Sequence, residues 1–171
     1  LRFSSLSLNG FDVLQSTPSI LAITHQQHIW QLNELAYEAG IRFGHSVRHA
    51  IMLAPGVQLI ERDVYQENKK LEELSQWDYR FTPHVHVYND HTLLLEIGRR
   101  LALFKGLKHL KHLITHDLAT AYMDCKFGLA DTPKASYLLS FDDHSNCFGY
   151  EDKHRIEKRL ANSRLKHLAV D

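Results

Sequence analysis

Apolar positions fall into two regimes: short alternating stretches in the first third of the chain, then longer runs at helical spacing. Leu1, Phe3, Leu6 and Leu8 predict a short strand whose alternation is interrupted at Ser4-Ser5. After polar breaks at Asn9-Gly10 and Ser16-Thr17-Pro18, the span Ser19–Leu32 predicts a hairpin. Its arms are Ile20-Leu21-Ala22-Ile23 and Ile29-Trp30-Gln31-Leu32, and its turn is His25-Gln26-Gln27. Asn33 is placed to cap a brief helix over 34–39 that Gly40 stops. Ser46 is placed to cap another, with Val47, Ala50 and Ile51 on one face and Pro55-Gly56 at its end. A hairpin and two short helices read as a small subdomain rather than a core.

Within Glu61–Tyr79, Val64, Leu71, Leu74 and Trp77 recur at the spacing of a charged amphipathic helix. After Pro83, residues 84–88 and 92–97 predict two strands joined at Asn89-Asp90. A long helix is expected from Arg99 to Thr120, with Leu103, Leu107, Leu110, Ile114 and Leu118 turned inward. Residues 122–129 predict a last strand and 133–139 a short helix; 142–150 read as a loop and 151–168 as a charged helix or pair of turns. No internal repeat or low-complexity segment interrupts this order.

Setting aside the small subdomain leaves strand, helix, strand, strand, helix, strand. That is the βαββαβ order of a ferredoxin-like α+β sheet with both helices on one face. The expected division is a sheet domain over 1–12 and 62–141, an insertion over 13–61, and a linker with the start of a helical element over 142–171.

Composition narrows the classes. The 171 residues are 44% apolar and 23% charged, enough for one compact domain or a core with a subdomain. No apolar run approaches the ~20 residues that span a bilayer, and no secretory leader is recognisable. Leu1 is not Met, so a processed or excised chain is expected. Cys125 and Cys147 provide neither a disulfide framework nor a metal quartet and fit a reducing, cytoplasmic setting. Lys+Arg 20 balances Asp+Glu 20, which argues against a strongly basic clamp but leaves room for a local basic surface.

Phosphate-cradle, dinucleotide, serine-elbow, zinc-protease and C-x-x-C signatures are all missing. Among the 13 histidines, His109, His112 and His116 lie at i, i+3 and i+7, a spacing at which neutral imidazoles share Zn²⁺ or Ni²⁺. Lys105, Lys108 and Lys111 beside them favour a solvated face, and the alternating His84 and His86 favour an exposed sheet face. Arg42, His45, Arg48 and His49 cluster about Gly40-Ile41-Arg42-Phe43-Gly44, a loop leading into a helix and suited equally to meeting phosphate or to solvating a small surface subdomain.

The run Leu35-Ala36-Tyr37-Glu38-Ala39-Gly40-Ile41-Arg42-Phe43-Gly44, then Ala50 and Leu53-Ala54-Pro55-Gly56-Val57, resembles the fingers of Y-family (UmuC-like) DNA polymerases. With Leu93-Leu94-Leu95-Glu96-Ile97 and Gly128-Leu129-Ala130, it is similar to the ImuB-type proteins of the bacterial mutasome. The resemblance covers residues 1 to 140 and implies a palm, a fingers insertion at 13–61, and the start of a thumb from Glu151.

It also implies where active-site groups belong, and there the chain departs. Arg2-Phe3-Ser4 stands where active members carry Asp-x-Asp, and His91-Thr92 where they carry Asp-Glu. The triphosphate-binding Tyr and Arg fall near Glu34 and Tyr37, and the palm Lys near Tyr137. The expectation is therefore a protein of translesion DNA repair that is not itself an enzyme, a mutasome scaffold with no cofactor. Its expected partners are damaged DNA, met through Arg42, His45 and Arg48, an accessory mutasome protein, an error-prone replicative-type polymerase and the sliding clamp, with no membrane. Two rival readings stand beside it. One is an active Mg²⁺-dependent polymerase using Asp12, Asp90 and Glu96; the other is a metal-responsive or protein-interaction module working through the histidine stripe.

Overall fold

The structure, a computed structural model, describes residues 1–3, 6–8, 19–121, 123–141 and 161. Backbone contacts divide the chain into two compact units, one over 5–69 and the other joining 1–4 to 70 onward. The expected linker and thumb at 142–171 lie outside the described residues except for Ala161, which is helical.

In the first of these units, β1 (Leu21–His25) and β2 (His28–Leu32) form the expected hairpin. Gln26 and Gln27 turn it with φ of 50° and 64°, the left-handed pair that a tight two-residue connection requires. Asn33 caps α1 (Glu34–Glu38): its Oδ1 accepts from Ala36 N at 3.0 Å, and Gly40 at φ 90° ends the turn. Ser46 caps α2 (Val47–Leu53), whose buried residue is Ala50; Ile51, expected inward, is exposed.

A strand the sequence reading missed, β3 (Gln58–Glu61), pairs in parallel with β1 and completes a sheet ordered β2-β1-β3. The unit is therefore more than a hairpin with two helices. Ala22, Ile29, Ala36, Ile41, Ala50 and Ala54 form a core on one side of the sheet, and Leu8, Leu21 and Ile23 a cluster on the other. Burial on both faces explains the unbroken apolar run of β1.

α3 (Val64–Asp78) starts three residues later than Glu61, because Glu61 belongs to β3 and Asp63 Oδ1 accepts from Gln66 N at 3.0 Å. Leu71 and Leu74 are buried, while Val64 is exposed. In the second unit, β4 (Val85–Asn89) and β5 (Thr92–Leu95) pair antiparallel about Asp90-His91. Arg2 bridges Thr92 on one side and Lys126 on the other, both antiparallel. The order β4, β5, Leu1–Phe3, Lys126 is that of a split βαβ sheet, so the expected α+β, ferredoxin-like arrangement holds.

Two expected elements are shorter than their periodicity implied. The helix expected from Arg99 is a 3₁₀ turn at Gly98–Arg100 and a series of turns, followed by α4 (Leu107–Thr120). Lys105 and Gly106, at φ 54° and 98°, cannot continue a right-handed helix, and Leu103 is left 70% exposed. Of the strand expected over 122–129, the described residues retain only the bridge at Lys126, although Met123 and Phe127 are buried. α5 (Pro133–Leu139) follows, its Thr132 cap accepting from Ala135 N. Gly128 lies so close beneath it that a Cβ there would run into the Ser136 carbonyl oxygen.

Candidate functional site

The middle of the second unit's sheet carries a cation. Arg2 donates from Nε to Ser140 Oγ at 3.1 Å and from Nη2 to Ser140 O at 3.0 Å, and its guanidinium lies 4.1 Å over the Phe141 ring. Tyr137 packs between Tyr88, at 5.0 Å, and Phe141, at 5.1 Å; burial pushes its phenol pKa up. Thr92 is buried beside Arg2, and its hydroxyl has no hydrogen-bond partner among the described residues. His91 takes the amide of Phe3 on its carbonyl, and its Nδ1 sits 2.6 Å from Asp90 Oδ1. Arg2, His91, Thr92 and Tyr137 thus gather on one part of the sheet, while Ser4 lies outside the described residues. Ser140, Phe141 and Tyr88 are not among the site residues expected from the sequence.

Glu34 and Tyr37 belong to the other unit, both exposed on α1. Arg42 turns back on that helix: Nη1 donates to Tyr37 O at 2.6 Å and to Ile41 O at 2.7 Å, and the guanidinium stacks on the Tyr37 ring at 3.9 Å. Its amide donates to His45 Nδ1 at 3.2 Å, and His45 meets His49 edge-on at 4.5 Å. Arg48 points outward, exposed and with no ion-pair partner among the described residues. The loop also carries Phe43, 67% exposed against Trp30. Trp30 in turn supports Arg62, which is bound by both carboxyl oxygens of the buried Glu67.

Metal chemistry is constrained by distance. Asp90 and Glu96 flank opposite ends of β5, a separation of roughly 20 Å at ~3.3 Å per residue, so they cannot share an ion. Glu96 lies just beyond the strand rather than within it. Asp12 lies outside the described residues, and Arg2 places a positive charge in the middle of the sheet. Among the described residues no three His, Cys, Asp or Glu side chains converge on a metal-sized position. These residues do not fit a two-cation centre. His109, His112 and His116 lie exposed along α4, with the His112 and His116 rings 6.3 Å apart, and His84 and His86 are also exposed. No described helix is long and apolar enough to cross a membrane.

A split-βαβ sheet with an inserted three-stranded unit defines the class, and comparison with known proteins supplies the family. The impB/mucB/samB family profile matches residues 5–140. The chain belongs to this family, the Y-family DNA polymerases. It superposes on the insertion ternary complex of Dbh DNA polymerase with a TM-score of 0.75 at 12% identity, covering 99% of this chain and 52% of that one. The post-insertion binary complex of Dbh gives 0.75 at 12%, covering 92% and 49%. DinB from Sulfolobus solfataricus gives 0.63 at 12%, covering 82% and 43%. The chain spans about half the length of these structures. No curated protein matches it.

Membership corrects one expectation. The substitutions at Arg2, His91 and Thr92 led to a protein that is not an enzyme, but the profile match places the chain in an enzyme family. Departures at individual positions do not remove it from that class. Damage tolerance, translesion synthesis and the use of Mg²⁺ are properties of the family.

Proposed function

We propose that the chain is the palm and fingers of an ImuB-type Y-family protein that engages primer–template DNA during bacterial damage-induced mutagenesis in the cytoplasm. The observation that carries the reading is the family match over residues 5–140, which takes in both units. In the fingers, Arg48 and His45 meet the DNA backbone, with the Arg42–Tyr37 stack as a flat platform beside them. The resemblance at Ala39-Gly40-Ile41-Arg42-Phe43-Gly44 extends the proposal to a scaffold role. Its partners there are an accessory mutasome protein, an error-prone replicative-type polymerase and the sliding clamp.

The test is fluorescence anisotropy with a primer–template carrying an abasic site. Binding at low salt is expected, with the slope of log K on log[salt] shallower by about 0.9 in Arg48→Gln, the loss of one phosphate contact. No binding to any primer–template at 50 mM salt would overturn the DNA reading. Size-exclusion co-elution with purified clamp and polymerase tests the scaffold role. Primer extension in Mg²⁺ measures nucleotide addition by the same preparation.

A further inference from the structure

One stretch of the second unit is cationic without compensation. From Ile97 to His116 the sequence holds Arg99, Arg100, Lys105, Lys108 and Lys111 and no Asp or Glu. Lys111 is committed to the Phe127 ring, 5.3 Å away. Arg99, Arg100, Lys105 and Lys108 are exposed, and none has an ion-pair partner among the described residues. The backbone at 98–106 is folded into turns: Leu103 N donates to Arg100 O at 3.0 Å, and Gly106 N donates to Leu101 O at 2.8 Å.

α4 carries the row onward in sequence. Leu110, Ile114 and Leu118 form its buried stripe, so at 100° per residue Lys108, His109, His112 and His116 lie on the opposite, exposed side. The first turn holds no acid, so like charges crowd the positive end of the helix dipole, a cost that a bound anion would relieve.

This face is turned away from the Arg2 cluster. Arg2, Thr92 and Lys126 are directly paired and so share one side of the sheet, where Ser140 and Phe141 hold Arg2. Phe127, next to Lys126, points to the other side, and Lys111 of α4 lies over Phe127.

We infer that the exposed face of α4, with the turns at 98–106, is a second DNA-backbone contact, separate from the sheet side that carries Arg2 and from the fingers loop. The span from Lys108 to His116 is ~12 Å at 1.5 Å per residue, about the axial reach of three to four phosphates on one strand. The row from Lys108 to His116 holds cations and imidazoles and no Phe, Tyr or Trp, the larger platforms on which bases stack, so the contact is chiefly to phosphate and indifferent to sequence. DNA is chosen over another polyanion because the family handles DNA, so the inference rests on the function proposed above.

The experiment measures anisotropy of a 20-base-pair duplex against salt for the parent chain, the triple variant Arg99→Gln/Lys105→Gln/Lys108→Gln, and the fingers variant Arg48→Gln. The parent is expected to bind with a negative salt slope that becomes shallower by about 2.7 in the triple variant, and by about 0.9 in Lys108→Gln alone. The single variant keeps the test valid if the triple variant melts early by circular dichroism. If the α4 variants match the parent while Arg48→Gln weakens binding, this inference fails and the function proposed above stands. If the parent does not bind duplex at 50 mM salt, both fail. If a poly-glutamate peptide of matched charge displaces DNA at lower charge concentration than unlabelled duplex does, the surface belongs to an acidic protein and the inference is overturned.

Discussion

Asp78, near the end of α3, is fully buried, and neither carboxyl oxygen has a hydrogen-bond partner among the described residues. Burial pushes its pKa from 3.8 up to about 7, against the opposing pull of the amino terminus and Arg80. Between those two values the folded chain holds a proton that the unfolded chain has released. Stability from this group is therefore complete below about pH 4 and is lost as pH rises through 7. A shift of about three units corresponds to about 4 kcal/mol, of which roughly 2.5 kcal/mol falls between pH 5 and pH 8. Asp78→Asn keeps the shape and cannot ionise. Urea unfolding at pH 5, 6, 7 and 8 should show the variant gaining on the parent by that amount across the range. Taking the difference between the two proteins removes the contributions they share. A difference that is flat, or that shrinks as pH rises, would refute the reasoning.

Two further substitutions test the packing that holds the two sites. Gly128→Ala drives a methyl group into the Ser136 carbonyl and to within 2.7 Å of Ser140 N, so it should displace α5 from Arg2 and cost about 2–3 kcal/mol in chemical denaturation. Asn33 accepts from both Leu21 N and Ala36 N and donates to Ser19 O at 2.8 Å; Asn33→Ala should cost about 2 kcal/mol, read as a fall in the melting temperature of the unit over 5–69.

The elements legible in the sequence were those whose local chemistry is self-sufficient. The β1–β2 hairpin and the caps at Asn33 and Ser46 depend on residues a few positions apart, and they stand where the side chains placed them. β3 escaped notice because four residues, Gln58–Glu61, carry too short a pattern, and its partner β1 lies a crossover away. The early start expected for α4 came from leucines that keep helical spacing straight across Lys105 and Gly106, where the backbone adopts positive φ; apolar periodicity is blind to φ. Sheet order made the central position of Arg2 legible, but not its binding to Ser140, which is 138 positions away. The family was legible in the run about Gly40, but reading the departures at Arg2, Ser4, His91, Thr92, Glu34, Tyr37 and Tyr137 as loss of function led to a protein without enzymatic character, whereas the match over residues 5–140 places the chain in an enzyme family.

Whole-chain neutrality argues against a strong nucleic-acid clamp, but the arrangement of charge shows why that average decides little. Over 61–78, acids and bases alternate and pair: Glu67 holds Arg62, and Lys70 lies 3.6 Å from Glu73. Over 97–116, cations accumulate with no acid among them, and the next carboxylate along the chain, Asp117, is already bound to Arg80. Screening limits exposed charges to about 10 Å at ordinary salt, so a phosphate at α4 responds to the local row and not to the sum over 171 residues. Neutrality overall therefore lowers long-range steering, and with it the rate of encounter, while leaving short-range phosphate contact intact. Binding at α4 should accordingly change most steeply with salt at low ionic strength, whereas a mutation that alters net charge away from both α4 and the fingers loop should leave the slope unchanged.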